Sequence, residues 1–190
     1  MLEDGQASVW FGTLVCLTLV WSMKAGIKPG LNLHLLGATT LTLMFGRHMA
    51  LVGLSVVLAA VTANLQIKGT EAWQSYALNA LVLAVFPVLL ADAIRRFVER
   101  ALPANFFIYV FVAAFFGAAL TVTGAGLLSC ALLWLAGVYP AATLVEDYFA
   151  YFILLGFSEA WMNGAAITLM VVYAPRWVGS FDDRRYLYRK

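Results

Sequence analysis

Charged residues are scarce in this chain. Only 12% of its 190 residues are Asp, Glu, Lys or Arg, whereas 63% are hydrophobic, and the mean hydropathy is +0.87. A water-soluble domain of this size still exposes about 30% of its unfolded-state surface, so it cannot hide so much apolar area. We therefore predict an integral membrane protein that contacts the lipid bilayer.

The chain also lacks an excess of charge of either sign. Its 12 basic and 10 acidic residues leave a net charge of +2, which excludes the basic surface that binds nucleic acid. The two cysteines, Cys16 and Cys130, lie in apolar runs without a CxxC partner, so they predict neither a zinc site nor a redox site.

Catalytic motifs are missing as well. The sequence contains no Gly-x-Ser-x-Gly turn, no His-Glu-x-x-His pair and no phosphate-binding Gly-x-x-x-x-Gly-Lys loop. We therefore predict that the protein is not an enzyme and carries no covalently bound cofactor. If it moves a substrate against a gradient, the energy must come from an ion gradient or from another subunit.

What the chain has instead is a series of charge-free intervals. Charges are costly in hydrocarbon, and each membrane-spanning helix needs about 20 apolar residues. One interval, 101–145, fits either one long helix or two short ones, because it is interrupted at Gly124-Ala125-Gly126. The other intervals each fit one crossing, which gives six or seven helices; they are 5–23, 29–46, 48–67, 72–91 and 148–175, the last of which carries a single internal charge, Glu159.

The basic residues decide between the two counts, since cytoplasmic loops hold the excess of Lys and Arg. Six helices place nine basic residues on one side and three on the other, whereas seven helices weaken the split to eight against four. We therefore predict an all-α polytopic membrane helix bundle with six transmembrane helices and both termini in the cytoplasm. It forms a single integral membrane domain, residues 1–190, in a bacterial-type inner membrane.

One histidine stands at the outer face of the predicted second span. Pro29 and Gly30 precede Asn32 and His34, so both polar side chains are expected at the entrance of the bundle. A neutral imidazole is the commonest transition-metal ligand, which makes His34 a candidate to bind an ion arriving from outside. The alternative is that His34 only makes a structural hydrogen bond between helices.

Other polar residues lie inside the predicted spans. Glu159 is the only carboxylate deep within a span, and Asn163 follows it one helical turn later. Such groups should face the bundle interior, either as packing residues or as part of a ligand site or proton relay. Asn79 is also expected in the interior, where it can bond across helices. His48, beside Arg47, is predicted to cap the opposite face, so the two histidines cannot bind one haem.

Three stretches carry a family resemblance. They are Asn32-Leu33-His34-Leu35-Leu36-Gly37 with the run to Phe45-Gly46, then Asn79-Ala80-Leu81 leading to Pro87, and Glu159 in the last helix. Over roughly residues 8–175 the chain resembles the CbiM/NikM-type substrate-capture subunits of energy-coupling-factor transporters for cobalt and nickel. The resemblance implies a bundle of six helices plus an added N-terminal one. It also implies transient binding of a divalent Ni or Co ion, with a transmembrane coupling subunit and cytoplasmic ATPase subunits as partners.

The start of the chain departs from that family. Its members begin with a Met-His-Ile-x-Asp-Gly-like segment, whose nitrogen atoms join the second-span histidine in a roughly square-planar site. Here the chain reads Met1-Leu2-Glu3-Asp4-Gly5, with leucine at the second position. The resemblance therefore carries over only His34 as a ligand, with Asn79 and Glu159 as interior positions. The other ligands are expected from a separate N-terminal helix or small membrane subunit, unless the ligand set has changed.

These observations predict a membrane subunit that captures divalent transition-metal ions from the outer face for an energy-coupling-factor-like transporter. The alternative is a non-transporting assembly or accessory protein. Faces of small residues, such as Ala113-Ala114 and Gly117-Ala118-Ala119, would then dock other membrane subunits.

Overall fold

The computed structural model describes residues 4–23, 25–28, 31–69 and 73–186. Most of these residues are helical, which confirms the predicted all-α polytopic membrane fold. The helices are α1 (Asp4–Ser22), α2 (Ala38–Ile67), α3 (Trp73–Ala101), α4 (Phe106–Leu135), α5 (Ala141–Tyr173) and α6 (Asp183–Tyr186). Strands β1 (Ala25–Lys28) and β2 (Leu31–Leu33) form a short antiparallel hairpin between α1 and α2.

Five helices within the described residues, α1 to α5, are long and apolar enough to cross a membrane. The interval 101–145 contains one such helix, α4. The interval 29–46 differs from the prediction, because it contains β2, an irregular segment and only the first part of α2. The count of six crossings and the cytoplasmic location of both termini stay predictions.

Helix α2 is broken at Gly46, where φ is 75° and ψ is 168°. A Cβ atom on Gly53 would lie 3.0 Å from Cδ2 of Leu41. In one straight helix these two residues would be about 18 Å apart along the axis. The chain therefore folds back at Gly46, and we call residues 38–45 the short arm of α2 and residues 47–67 its long arm.

Hydrogen bonds from two tryptophans of α1 show in which direction the short arm runs. The indole N–H of Trp21 donates to the carbonyl of Leu36, 3.1 Å away, and that of Trp10 donates to the carbonyl of Met49, 3.3 Å away. The bundle thus has a His34 end, near Trp21, and a Gly46 end, near Trp10. The short arm and the loop before it run between these ends, where the sequence predicts the second span.

The C-terminal segment, residues 174–186, covers the Gly46 end. The backbone N–H groups of Gly179 and Ser180 donate to the carbonyls of Met44 and Leu43, at 2.9 and 3.1 Å. The Ser180 hydroxyl also bonds the Leu43 carbonyl and the hydroxyl of Tyr109. Because the break at Gly46 ends the helix, these last carbonyls of the short arm need partners from outside it.

Aromatic rings complete the packing of this end. The ring of Phe181 stacks on that of Tyr186 with centroids 5.1 Å apart, and both rings contact Tyr109. Burial raises the pKa of the Tyr186 hydroxyl above its ordinary value. The C-terminal segment is therefore packed into the bundle end.

The basic residues that the structure describes are divided unequally between the two ends of the bundle. At the Gly46 end, Asp92 makes ion pairs with Arg95 and Arg96 at 2.7 and 2.8 Å, and Arg185 donates to the carbonyl of Glu99. At the other end of the long arm lies Lys68. This asymmetry supports the prediction that the Gly46 end faces the cytoplasm.

We expect cysteine labelling to report this orientation. In a chain carrying Cys16→Ser and Cys130→Ser, a membrane-impermeant maleimide should label Lys68→Cys in intact cells, because Lys68 is exposed at the His34 end. Arg100→Cys, exposed near the Gly46 end, should react only after the cells are permeabilised. The reverse pattern would contradict the predicted orientation.

Candidate metal-binding site at the His34 end

Residues 34–37, which we call the His34 loop, connect β2 to the short arm of α2. The imidazole of His34 is half-buried and lies against the ring of Trp21, with centroids 4.6 Å apart. Its Nδ1 atom is 3.2 Å from the carbonyl oxygen of Leu35. In the tautomer in which Nδ1–H donates to that carbonyl, Nε2 carries the lone pair that a metal ion binds.

A small cavity adjoins the His34 ring. It offers about 20 Å³ to water-sized molecules, which is room for one water molecule or one small ion. Four of its lining residues bring polar side chains, namely Asn32, His34, Ser129 and Tyr148. The others are apolar, and they are Leu33, Leu36, Val82, Leu83, Ala125 and Phe152.

The hydroxyls on α4 and α5 form part of the cavity wall. Tyr148 is buried, and it lines the cavity together with Ser129. Tyr148 lies in a π-helical turn, Val145–Phe149, and a second such turn, Leu81–Val85, supplies apolar lining from α3. A π-helical turn changes the direction of nearby side chains and is frequent at functional sites. Sequence reasoning missed Tyr148 and Ser129 because a helical periodicity of 3.6 does not reveal such turns.

Glu159 holds the His34 loop from α5. Its side chain is 2% exposed, and its Oε1 atom accepts hydrogen bonds from the backbone N–H groups of Leu36 and Gly37, the latter at 3.2 Å. The first N–H groups of a helix have no partner within that helix, and a carboxylate is favourable there. Glu159 therefore caps the short arm from a distance of more than 100 residues in sequence.

Asn163 extends this contact by one helical turn. Its Oδ1 atom accepts from the N–H and the hydroxyl of Thr40, at 3.0 and 2.6 Å. Its Nδ2 atom donates to Oε2 of Glu159, at 2.5 Å, and to the Glu159 carbonyl, at 2.7 Å. We call Glu159 and Asn163 the polar clamp, since together they bind the start of the short arm.

The structure thus brings four of the predicted polar residues around one loop. His34 and Asn32 line the cavity, although Asn32 is exposed, and Glu159 and Asn163 hold the loop from behind. Asn79 lies elsewhere: it is half-buried, and its amide donates to the hydroxyl of Ser75, 3.2 Å away on its own helix. It therefore makes this bond along α3 and not between helices.

The donor set is small. Among the described residues there is no group of three or more His, Cys, Asp or Glu side chains that could hold a metal ion. The cavity offers one imidazole together with amide and hydroxyl groups, so an ion bound there needs further ligands from water or from another chain. Leu2, where the family has histidine, lies outside the described residues. His48 is exposed beside Arg47, at the other end of the bundle.

Neither a curated protein nor a solved structure matches this chain. The family model CbiM, described as the cobalt uptake substrate-specific transmembrane region, matches residues 6–177. The match covers the hairpin, the His34 loop, the polar clamp and all five long helices. This family is a membrane component of a transporter and not an enzyme family. Because the match covers most of the chain, the protein belongs to the CbiM family of cobalt uptake transmembrane regions.

Proposed function

We propose that the protein captures a divalent cobalt or nickel ion from the outer face of a bacterial inner membrane. It does so as the substrate-binding subunit of an energy-coupling-factor-type transporter. The observation that carries this proposal is the cavity beside His34, which has room for a single small ion and lies at the bundle end opposite the described arginines. Membership of a cobalt uptake family supports the choice of substrate.

The chemistry of the cavity suits such an ion. Imidazole nitrogen is a good ligand for divalent ions in the middle of the first transition series, and amide or hydroxyl oxygen can bond the water molecules that such ions retain. The volume of about 20 Å³ matches one water molecule or one small ion. The substrate in this proposal is therefore the ion itself, with water.

Further parts of the transporter come from other chains. One imidazole does not make a tight site for cobalt or nickel, so we propose that a separate N-terminal helix or small membrane subunit adds nitrogen ligands. The chain has no phosphate-binding loop. A transmembrane coupling subunit and cytoplasmic ATPase subunits would supply the energy.

The alternative function, docking of other membrane subunits through small residues on α4, has less support. Ala113, Ala114, Gly117 and Ala118 are buried within the bundle, and Ala119 is half-buried. These residues pack α4 against the rest of this chain, so their faces are not available to a partner.

The proposal predicts that His34→Ala weakens Co²⁺ binding at least tenfold, because it removes the one imidazole at the cavity. His48→Ala is the matched control and should leave the affinity unchanged, since His48 lies at the other end. Both affinities can be measured by titrating the purified full-length chain in lipid nanodiscs with CoCl₂. Cobalt accumulation by cells that express each variant gives the corresponding uptake. Equal affinity of the His34→Ala variant and the unmodified chain would refute the proposal.

A further inference from the structure

We propose that the polar clamp is the positioning element of the metal site, so that Glu159 and Asn163 set the affinity for the ion without binding it. This inference rests on the proposed function, because it assigns a role to residues that act through His34. It extends the site from the outer loop to α5, which is otherwise separated from His34 by more than 100 residues of sequence.

Glu159 contacts backbone that lies close to His34 along the chain. Glu159 accepts from the N–H groups of Leu36 and Gly37, which follow His34 by two and three residues. A displacement of these backbone groups moves the imidazole directly. The ring itself packs against Trp21, so the loop is in contact with both α1 and α5.

Without the clamp, N–H groups of the His34 loop would lose their hydrogen-bond partner. Irregular backbone at membrane depth is tolerated only where protein groups or water satisfy its N–H groups, because a buried unsatisfied group is strongly unfavourable in such surroundings. Glu159 is buried, and Asn163 is 3% exposed. The clamp therefore supplies bonds that the loop cannot obtain from solvent in this conformation.

The donors and acceptors of the clamp are complementary to each other. Oε1 of Glu159 accepts from the loop, and Oε2 accepts from the amide of Asn163 and, at 3.4 Å, from the N–H of Gly37. Oδ1 of Asn163 in turn accepts from Thr40. Donors and acceptors alternate through the whole set. A change of either residue breaks the match between the two side chains, whereas an exchange of their chemical groups restores that match. The exchange still gives up the bond from Nδ2 of Asn163 to the Glu159 carbonyl.

The match of donors and acceptors between Glu159 and Asn163 can be tested by substitution. In Glu159→Gln the new amide meets the amide of Asn163 donor to donor, and in Asn163→Asp two carboxylates face each other. The double variant combines Glu159→Gln with Asn163→Asp, so that the new amide donates to the new carboxylate. The oxygen of the new amide still accepts from the loop, and the new carboxylate still accepts from Thr40.

We expect each single variant to weaken Co²⁺ binding by about tenfold or more, as loss of groups that orient a metal ligand does in other sites. The double variant should bind Co²⁺ more tightly than either single variant but less tightly than the unmodified chain, because the new carboxylate at position 163 faces the backbone carbonyl of residue 159. Thr40→Val, which removes one bond of the clamp with little change of volume, should cost about threefold and serves if a single variant does not fold. The measurement is CoCl₂ titration of the full-length chain in nanodiscs, as for His34→Ala.

Ser180→Ala is the control for a general loss of structure, because it removes hydrogen bonds at the opposite end of the same short arm. It should lower the thermal unfolding midpoint but change the Co²⁺ affinity less than twofold. If His34→Ala loses binding while both single clamp variants bind normally, this inference is wrong and the proposed function stands. A double variant as weak as the single ones would also overturn it. If His34→Ala binds normally, the proposed function itself fails.

Discussion

Replacing Gly46 with valine is expected to lower the free energy of unfolding by about 3 kcal/mol. The backbone of Gly46 has φ 75° and ψ 168°, a region that residues with a Cβ atom rarely occupy and that costs about 1–3 kcal/mol each time. A β-branched residue is especially unfavourable at positive φ, so valine should lie at the upper end of this range. A Cβ at this position has no atom within 4 Å, so the expected loss comes from the backbone alone.

The measurement is the denaturation midpoint of the purified protein in one detergent. Gly12→Ala is a suitable control, because Gly12 lies within helix α1 and its new Cβ also meets nothing within 4 Å. Alanine favours helix more than glycine does, so this control should be neutral or stabilising by up to about 1 kcal/mol. Equal midpoints for the two variants would show that the chain does not turn sharply at Gly46.

Much of the architecture follows from hydropathy and charge. The hydropathy of each interval is summed over many apolar side chains, so it is a strong signal. The cost of burying a charge in lipid limits where helices can end. The same reasoning predicted the membrane class, the helical fold and the single helix over most of 101–145. These features do not depend on which residues meet across the bundle.

The interval 29–46 shows a structure that hydropathy and charge do not predict. Its apolar composition predicts a helix, but hydropathy does not report how the backbone N–H groups are satisfied. Here the hairpin and the His34 loop replace helical bonds with bonds from other elements, and Glu159 supplies two of them. Because that partner lies 123 residues from Leu36, no local pattern around His34 could indicate the loop.

The same limit applies to the cavity. The sequence indicated His34 and Asn32 by their position before an apolar run, because polar groups are rare there. Tyr148 and Ser129 gave no comparable signal, since an aromatic near a span end is common at the membrane interface. Only the π-helical turn at Val145–Phe149 and the packing of α4 on α5 bring these hydroxyls to the cavity.

Close packing of α4 on α5 leads to the second large effect. A Cβ atom on Gly126 would lie 2.3 Å from Cγ of Phe152 and under 3 Å from both Cδ atoms. The ring is 6% exposed and packs edge-on against Tyr148, with centroids 5.0 Å apart. It therefore has little space in which to move, and it also lines the cavity beside His34.

We expect Gly126→Ala to lower the free energy of unfolding by about 3 kcal/mol, the upper end of the usual cost of overpacking. Co²⁺ binding should weaken as well, because Phe152 can yield only by shifting against Tyr148 or into the cavity. Gly124→Ala is the matched control on the same helix: its Cβ meets first the flexible end of Leu90, at 2.8 Å, so the loss should be about 1 kcal/mol or less. Phe152→Leu added to Gly126→Ala should restore part of the stability by relieving the contact. Equal denaturation midpoints for the two alanine variants would contradict this account of how α4 and α5 shape the cavity.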